Sequence, residues 1–210
     1  MNINYKNFQV DKNLPLLICD ADEVLFEFMH SFERYLNENN MYFTYKSFKL
    51  SGNIYTKDNN DIIEESRIPN IISEFFKSYT SKMPLIIGAK ETLNTLKKHL
   101  NIIILSNIPE ESANDRICLL KKNDMDYNFI SNKGPKGEIC KELEKLTNNK
   151  VFFIDDLPNQ IKSVKLNTTK ITTIHFLQNK KLLEIIPRVK YSDFNAKNWD
   201  EIKKIILNNI

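Results

Sequence analysis

Short, unbroken runs of apolar residues recur along the chain, and each ends at polar residues: "PLLICD" (15–20), "NIIILSN" (101–107), "KVFFIDD" (150–156) and "KITTIHFL" (170–177). Runs of this kind, apolar without alternation, fit strands buried on both faces, as in a parallel sheet. "DYNFIS" (126–131) supplies a further strand. Between the runs the apolar residues repeat at helical spacing. Leu93, Leu96 and Leu100 share one helical face, and Ile139, Leu143 and Leu146 share another. Pro158–Leu166 carries Ile161 and Val164 in a weaker stripe, and Trp199, Ile202, Ile205 and Ile206 line one face of a terminal helix. Strands alternating with helices predict an α/β fold: a parallel sheet with helices on both faces.

The alternation breaks once. Roughly sixty residues separate the first run from the next strand and helix unit, well beyond an ordinary connection, so this stretch needs structure of its own. Leu25, Phe28, Met29, Phe32 and Leu36 predict one helix, and Ile71, Ile72, Phe75, Phe76 and Tyr79 predict a second after Pro69. "KLSGNIYTKDN" (49–59) between them reads as loop. The expected organisation is a core of residues 1–24 and 85–210 with a helical insertion, residues 25–84, over the sheet. The aromatic stripe Phe28, Phe32, Phe75, Phe76 and Tyr79 is expected to form the core of that insertion.

Composition narrows the function classes. A chain of 210 residues fits one domain with an insertion, and 41% hydrophobic with 27% charged residues are ordinary globular values. The net charge of +3 is spread along the chain, with no block of like charges, so no nucleic-acid footprint stands out. An anionic small substrate stays compatible with that charge. "MNINYKNFQVDKNLP" lacks the apolar region of a secretory leader, and no window approaches the ~18 apolar residues of a membrane span. Cys19, Cys118 and Cys140 are odd in number, without CxxC spacing, and read as reduced core residues of a cytoplasmic protein. The oligomeric state is open at this level.

The chemistry gathers at the strand ends. The first strand ends at Asp20 with Asp22 two residues on, so both carboxylates point to one side. The second ends at Ser106 and Asn107, and the third at Asp155 and Asp156. The carboxyl edge of an open parallel sheet is where ligands bind. Four carboxylates crowded there raise one another's pKa unless a cation neutralises them. An all-oxygen set without a Cys or His cluster selects a hard ion, and open positions for water and phosphate suit Mg²⁺ better than Ca²⁺, with Asp20, Asp22, Asp155 and Asp156 as the ligand set. "SNKGPKGEICKEL" adds Lys136 at a helix N-terminus that itself favours anions, with Lys133 a weaker candidate in the same loop. Taken singly, each element has a plainer reading: a capped turn, a helix N-cap pair, a loop serine, a solvated lysine. His30 reads as a partly exposed helix residue, His99 as a cation at a helix end and His175 as structural.

In this order, "DADEV", "IIILS", "GPKG" and "FFIDD" resemble the motifs of the haloacid dehalogenase superfamily, in its phosphatase branch, over about Leu16 to Leu166. The resemblance implies a Rossmann-like core with a small α-helical cap inserted after the first strand, a Mg²⁺ cofactor and a small phosphorylated metabolite as partner. It implies that Asp20 is the nucleophile and Asp22 the general acid and later base. Ser106, with Asn107 beside it, and Lys136 would bind the transferring phosphoryl group. Asp155 would hold the metal with Asp20 and the backbone carbonyl of Asp22, and Asp156 would support the metal shell. Two positions depart from the pattern: Glu23 stands where the family most often has Gly, and Val24 replaces the commoner Thr. Asp22 argues for phosphate chemistry, because dehalogenase members generally lack it. "DADEVLFEF" also resembles the first motif of the family's 5′-nucleotidases, which makes a nucleotide one candidate substrate. A phosphomutase would use the same residues. A receiver-like binding module carries its acidic pair on the first strand and its phosphorylated Asp on a later one, unlike the layout here.

Overall fold

The apolar runs become the strands of one parallel sheet. A computed structural model describes residues 8–186 and 189–210; the leader reading over residues 1–15 thus falls partly on residues 1–7, outside the described residues. The sheet strands are β1 (Leu16–Cys19), β4 (Asn101–Ser106), β5 (Asn128–Ser131), β6 (Val151–Asp155), β7 (Ile171–Phe176) and β8 (Phe194–Ala196). They lie in the order β5-β4-β1-β6-β7-β8, and every pairing is parallel. The chain builds outward from β1 to β5, then returns to the other side of β1 with β6. Strand order therefore reverses beside β1, which opens a crevice at the carboxyl ends of β1, β4 and β6.

Period-two alternation sorts each central strand onto two faces. Leu17, Cys19, Ile102, Ile104, Phe152 and Ile154 enter one core, packed with α3 (Ala89–Leu96), α8 (Trp199–Leu207) and the insertion. Leu16, Ile18, Ile103, Leu105, Val151 and Phe153 enter the other, with α5 (Gly137–Leu143) and α6 (Pro158–Asn167). Both faces are covered, which is why the runs read as continuous rather than alternating. Trp199 of α8 donates its indole N–H to the Val24 carbonyl at 3.0 Å, so the terminal helix anchors the turn that follows β1.

Between β1 and β4 the chain forms α1 (Phe28–Glu38), a short antiparallel ribbon of β2 (Met41–Phe43) and β3 (Ile54–Thr56), and α2 (Ile68–Tyr79). The two helices are where their stripes predict them, but β3 lies in the stretch read as loop, so this segment is not wholly helical. Three-residue strands leave little pattern to read; the ribbon is supported by Tyr42 stacked on Tyr55, ring centroids 5.5 Å apart. Leu25 is not on α1. The Leu25 and Phe26 amides donate to the Ala21 carbonyl, which folds the chain into a turn and delays the helix to Phe28. The aromatic stripe interlocks α1 with α2, Phe32 meeting Phe75 edge-on at 5.1 Å. The segment leaves and rejoins the sheet side by side: Phe26 pairs with Leu85, and the Ile86 amide donates to the Leu25 carbonyl.

The helices α4 (Ala113–Lys122) and α7 (Lys180–Ile185), and the strand β8, complete the fold without having stood out in the sequence. All three cysteines are free; Cys19 and Cys140 are buried, but Cys118 is exposed on α4 and is not a core residue. Among the described residues no helix is long and apolar enough to cross a membrane.

Candidate active site

Asp20 follows β1 directly, and its amide donates to the Ile154 carbonyl of β6, which fixes the end of the strand beside Asp155. Lys136 reaches into this crevice from the N-terminus of α5. Its ammonium bonds to Asp20 Oδ1 and, at 2.7 Å, to Asp155 Oδ2, with all three side chains buried. Local geometry holds the lysine there. Gly134 adopts φ +86°, a left-handed conformation that a side chain would strain, and the Lys136 amide donates to Gln160 Oε1 at 2.9 Å. At Gly137 the requirement is space: a Cβ would lie 2.5 Å from the Ser163 carbonyl of α6. Each glycine of the loop thus serves the placement of one ammonium.

Asp22 faces different partners. Ser106 Oγ donates to its Oδ2 at 3.3 Å, and Arg116 of α4 donates from Nη2 to its Oδ1 at 2.6 Å. Arg116 is fully buried, with its guanidinium 4.8 Å from the Phe26 ring centroid, and its Nε and Nη1 find no partner among the described residues. The sequence reading missed this residue. The signal was present: Arg116 is one of four arginines in a lysine-rich chain, three and four residues before Leu119 and Leu120 on the buried face of a helix.

Asp20, Asp155 and Asp156 can each offer one carboxylate oxygen within 4.8 Å of the others. The Asp22 carboxylate is not in that cluster. Burial drives the Asp20 carboxyl up to about 7, with Lys136 opposing the rise and Asp155 and Asp22 adding to it. Asp156 is raised well above the usual aspartate range by burial, then by Asp155 and Asp20. Burial works against the Lys136 charge, but Asp155 and Asp20 outweigh it and hold the ammonium protonated. Three carboxylates against one ammonium leave negative charge that the described residues do not compensate. An all-oxygen cluster with that excess fits a hard divalent cation such as Mg²⁺.

Asn107 lines the same cavity, but its Nδ2 donates to the Gly134 carbonyl and its Oδ1 accepts from Asn132, so it ties the lysine loop to β4. Lys133 is exposed and stands in a neighbouring groove, away from the carboxylates. His175 lies in β7 with Nε2 2.8 Å from the Asp156 carbonyl, a structural contact; His30 and His99 are exposed. Glu23 has φ +57°, which accounts for a glycine preference at that point of the turn. Its buried carboxylate accepts from the Met29 amide at 2.8 Å and from Asn179 Nδ2 at 2.9 Å, and so links the start of α1 to the N-cap of α7.

A doubly wound sheet whose carboxyl edge gathers carboxylates, a hydroxyl and an ammonium defines a protein of the Rossmann-like α/β class with a polar site at its switch point. No protein-family model and no curated protein matches the sequence. Solved structures do match. A provisionally assigned phosphatase from Clostridium difficile is 18% identical, with a TM-score of 0.64 over 93% of this chain and 100% of that one. A haloacid dehalogenase family hydrolase from Deinococcus radiodurans, with bound phosphate and sodium, is 13% identical, with a TM-score of 0.63 over 95% and 97% of the two chains. A provisionally assigned hydrolase of that family from Bacillus subtilis, bound to magnesium, is 14% identical, with a TM-score of 0.61 over 93% and 99%. The fold of this chain is that of the haloacid dehalogenase superfamily.

Proposed function

We propose that the protein is a Mg²⁺-dependent phosphatase of the haloacid dehalogenase superfamily, which hydrolyses a small organic phosphate monoester through an aspartyl-phosphate on Asp20. The observation that carries this reading is the Lys136 ammonium held between Asp20 and Asp155, with Asp22 and Ser106 beside them. A carboxylate nucleophile, a second carboxylate for proton transfer, a hydroxyl and a fixed cation are the groups that phosphoryl transfer requires.

In this reading a carboxylate oxygen of Asp20 attacks phosphorus as the ester P–O bond breaks. Asp22 gives a proton to the departing alkoxide. With Oδ1 bound to Arg116, Oδ2 is the oxygen left to carry that proton. Asp22 then takes a proton from a water that attacks the phosphoryl group, which releases inorganic phosphate and restores the Asp20 carboxylate. Lys136 holds Asp20 in place and offsets charge on the transferring group. Ser106 donates its one hydroxyl proton to Asp22 Oδ2 while that oxygen is ionised, and would turn it to a phosphoryl oxygen when Oδ2 carries the proton. Asp20, Asp155 and Asp156 would hold Mg²⁺, which when bound neutralises phosphoryl charge that the carboxylates would otherwise repel. The α1 to α2 segment stands over the site and would act as a cap that excludes water. Free cysteines fit work in a reducing compartment.

Asp20→Asn tests the assignment. The variant should fold as the parent does by circular dichroism and lose at least ~10³-fold of its Mg²⁺-dependent phosphate release, the scale of removing a nucleophile. Substantial metal-dependent release from that variant would refute Asp20 as nucleophile.

A further inference from the structure

The floor of the site is charged, but most of its wall is apolar. Above Asp20 and Lys136 lies a cavity of about 280 Å³, bounded by Phe28 and Met29 of α1, Phe48 and Leu50 of the β2–β3 connection, and Ile72 and Phe76 of α2. Leu182 and Ile186, in and just after α7, also line it. Phe28, Phe48, Leu50 and Ile72 are only half-buried, so apolar surface stays in contact with water until something covers it.

Polar side chains in the wall are already committed. Glu23 is held by the Met29 amide and Asn179, Asn107 by Gly134 and Asn132, and Gln160 by the Lys136 amide and the Gly134 carbonyl. Among the described residues Lys136 is the one cationic side chain lining the cavity. The adjoining groove sets Glu110, Glu111, Glu138 and Glu142 against Lys133, an arrangement that repels a second phosphate. A sugar or nucleoside entering here would give up hydrogen bonds to water and find few partners among the described wall residues, chiefly the second amide N–H of Asn107 and of Gln160. Size acts in the same direction. A cavity of about 150 Å³ accommodates benzene, so the space here suits one ring and a phosphoryl group rather than a nucleoside monophosphate.

From this contrast between floor and wall, we infer that the alcohol released by the enzyme is compact and apolar: an aryl, arylalkyl or short branched alkyl group. The inference rests on the phosphatase reading of the floor and sets the nucleotide candidate aside. The insertion and α7 then act together as the specificity wall, with Ile72 at its half-buried rim.

Two measurements on the Mg²⁺-loaded protein separate this inference from the reading beneath it. The first is calorimetric binding of benzylphosphonate and of 3,4-dihydroxybutylphosphonate, which present the same anion on apolar and hydroxylated bodies. The apolar compound should bind about 100-fold tighter, the discrimination that burial of one ring can give. Ile72→Asn should narrow that ratio at least ~10-fold. The second is kcat/KM for benzyl phosphate, glycerol phosphate, glucose 6-phosphate and AMP, all esters of primary alcohols. Benzyl phosphate should lead by a similar factor. Equal or tighter binding of the dihydroxy compound, or glycerol phosphate, glucose 6-phosphate or AMP as the best substrate, would overturn the apolar wall. Tight, selective binding of benzylphosphonate without phosphate release from any ester would instead refute the phosphatase and leave the apolar site standing.

Discussion

A guanidinium without solvent contact needs a compensating charge, because its desolvation is not recovered by packing alone. Arg116 finds that charge in Asp22, with the Phe26 ring as a weaker second partner, and two of its nitrogens have no partner among the described residues. Such an arrangement is costly for stability; in the phosphatase reading proposed above, its rationale is to hold one carboxylate oxygen of Asp22 still while the other handles the proton. Arg116→Met keeps much of the side-chain volume and removes the charge. It leaves the largely buried Asp22 without its ion-pair partner, so the melting temperature should fall by several degrees. Phosphate release should fall about 10²–10³-fold, mostly in kcat, with Arg116→Lys restoring part of it. A fall confined to KM, or none, would show that Arg116 merely fills space. Glu23 illustrates the opposite balance. Its left-handed backbone costs on the order of 1 kcal/mol, and two hydrogen bonds from Met29 and Asn179 to its side chain offset that cost.

The lysine loop and α6 belong to the scale of elements, since Lys136 is only as well placed as the contact between α5 and α6. Gly137→Ala would set a methyl group against the Ser163 carbonyl, which is backbone and cannot rotate away. The two helices would have to separate, at a cost of roughly 1–3 kcal/mol of overpacking. Urea unfolding should show a lower midpoint with unchanged slope, together with a loss of phosphate release larger than the stability change explains. A variant as stable and as active as the parent would mean that the close approach is not required. What could be read in advance also divides by element. Strands β1, β4 and β6 were legible because burial on both faces leaves unbroken apolar runs, and the same runs marked Asp20, Ser106 and Asp155 at their ends. Helix α4 was not legible: its buried face is headed by Arg116, which leaves only Leu119 and Leu120 as apolar signal. β2, β3 and β8 span three residues each and α7 six, too short for any period to emerge. Arg116, the partner of Asp22, was marked only by its rarity and its place before Leu119 and Leu120, whereas Asp22 itself stood out at a strand end.

At the scale of the whole molecule, the doubly wound topology concentrates negative charge at one point of the sheet. Asp20, Asp155 and Asp156 come together from β1 and β6, and among the described residues only Lys136 opposes them. Without a metal, Asp20 titrates near 7 and Asp156 is likewise raised, whereas an unfolded aspartate titrates near ~3.9. Between those values the folded protein holds protons that the unfolded chain has released, so the stability of the metal-free protein falls as pH rises from about 4 through about 7. A cation that binds the cluster competes with those protons and removes the same repulsion. Its stabilising effect should therefore be small at pH 5 and grow toward pH 8. At about 100 times its dissociation constant a ligand adds roughly 2.7 kcal/mol, which corresponds to about 5–10 °C for a chain of this size. Thermal melts in chelator and in excess Mg²⁺ at pH 5, 6.5 and 8 would measure that growth directly. Asp155→Asn, which removes one carboxylate from the cluster, should flatten it. A Mg²⁺ shift that is equal at all three pH values, or largest at pH 5, would place the cation away from these carboxylates.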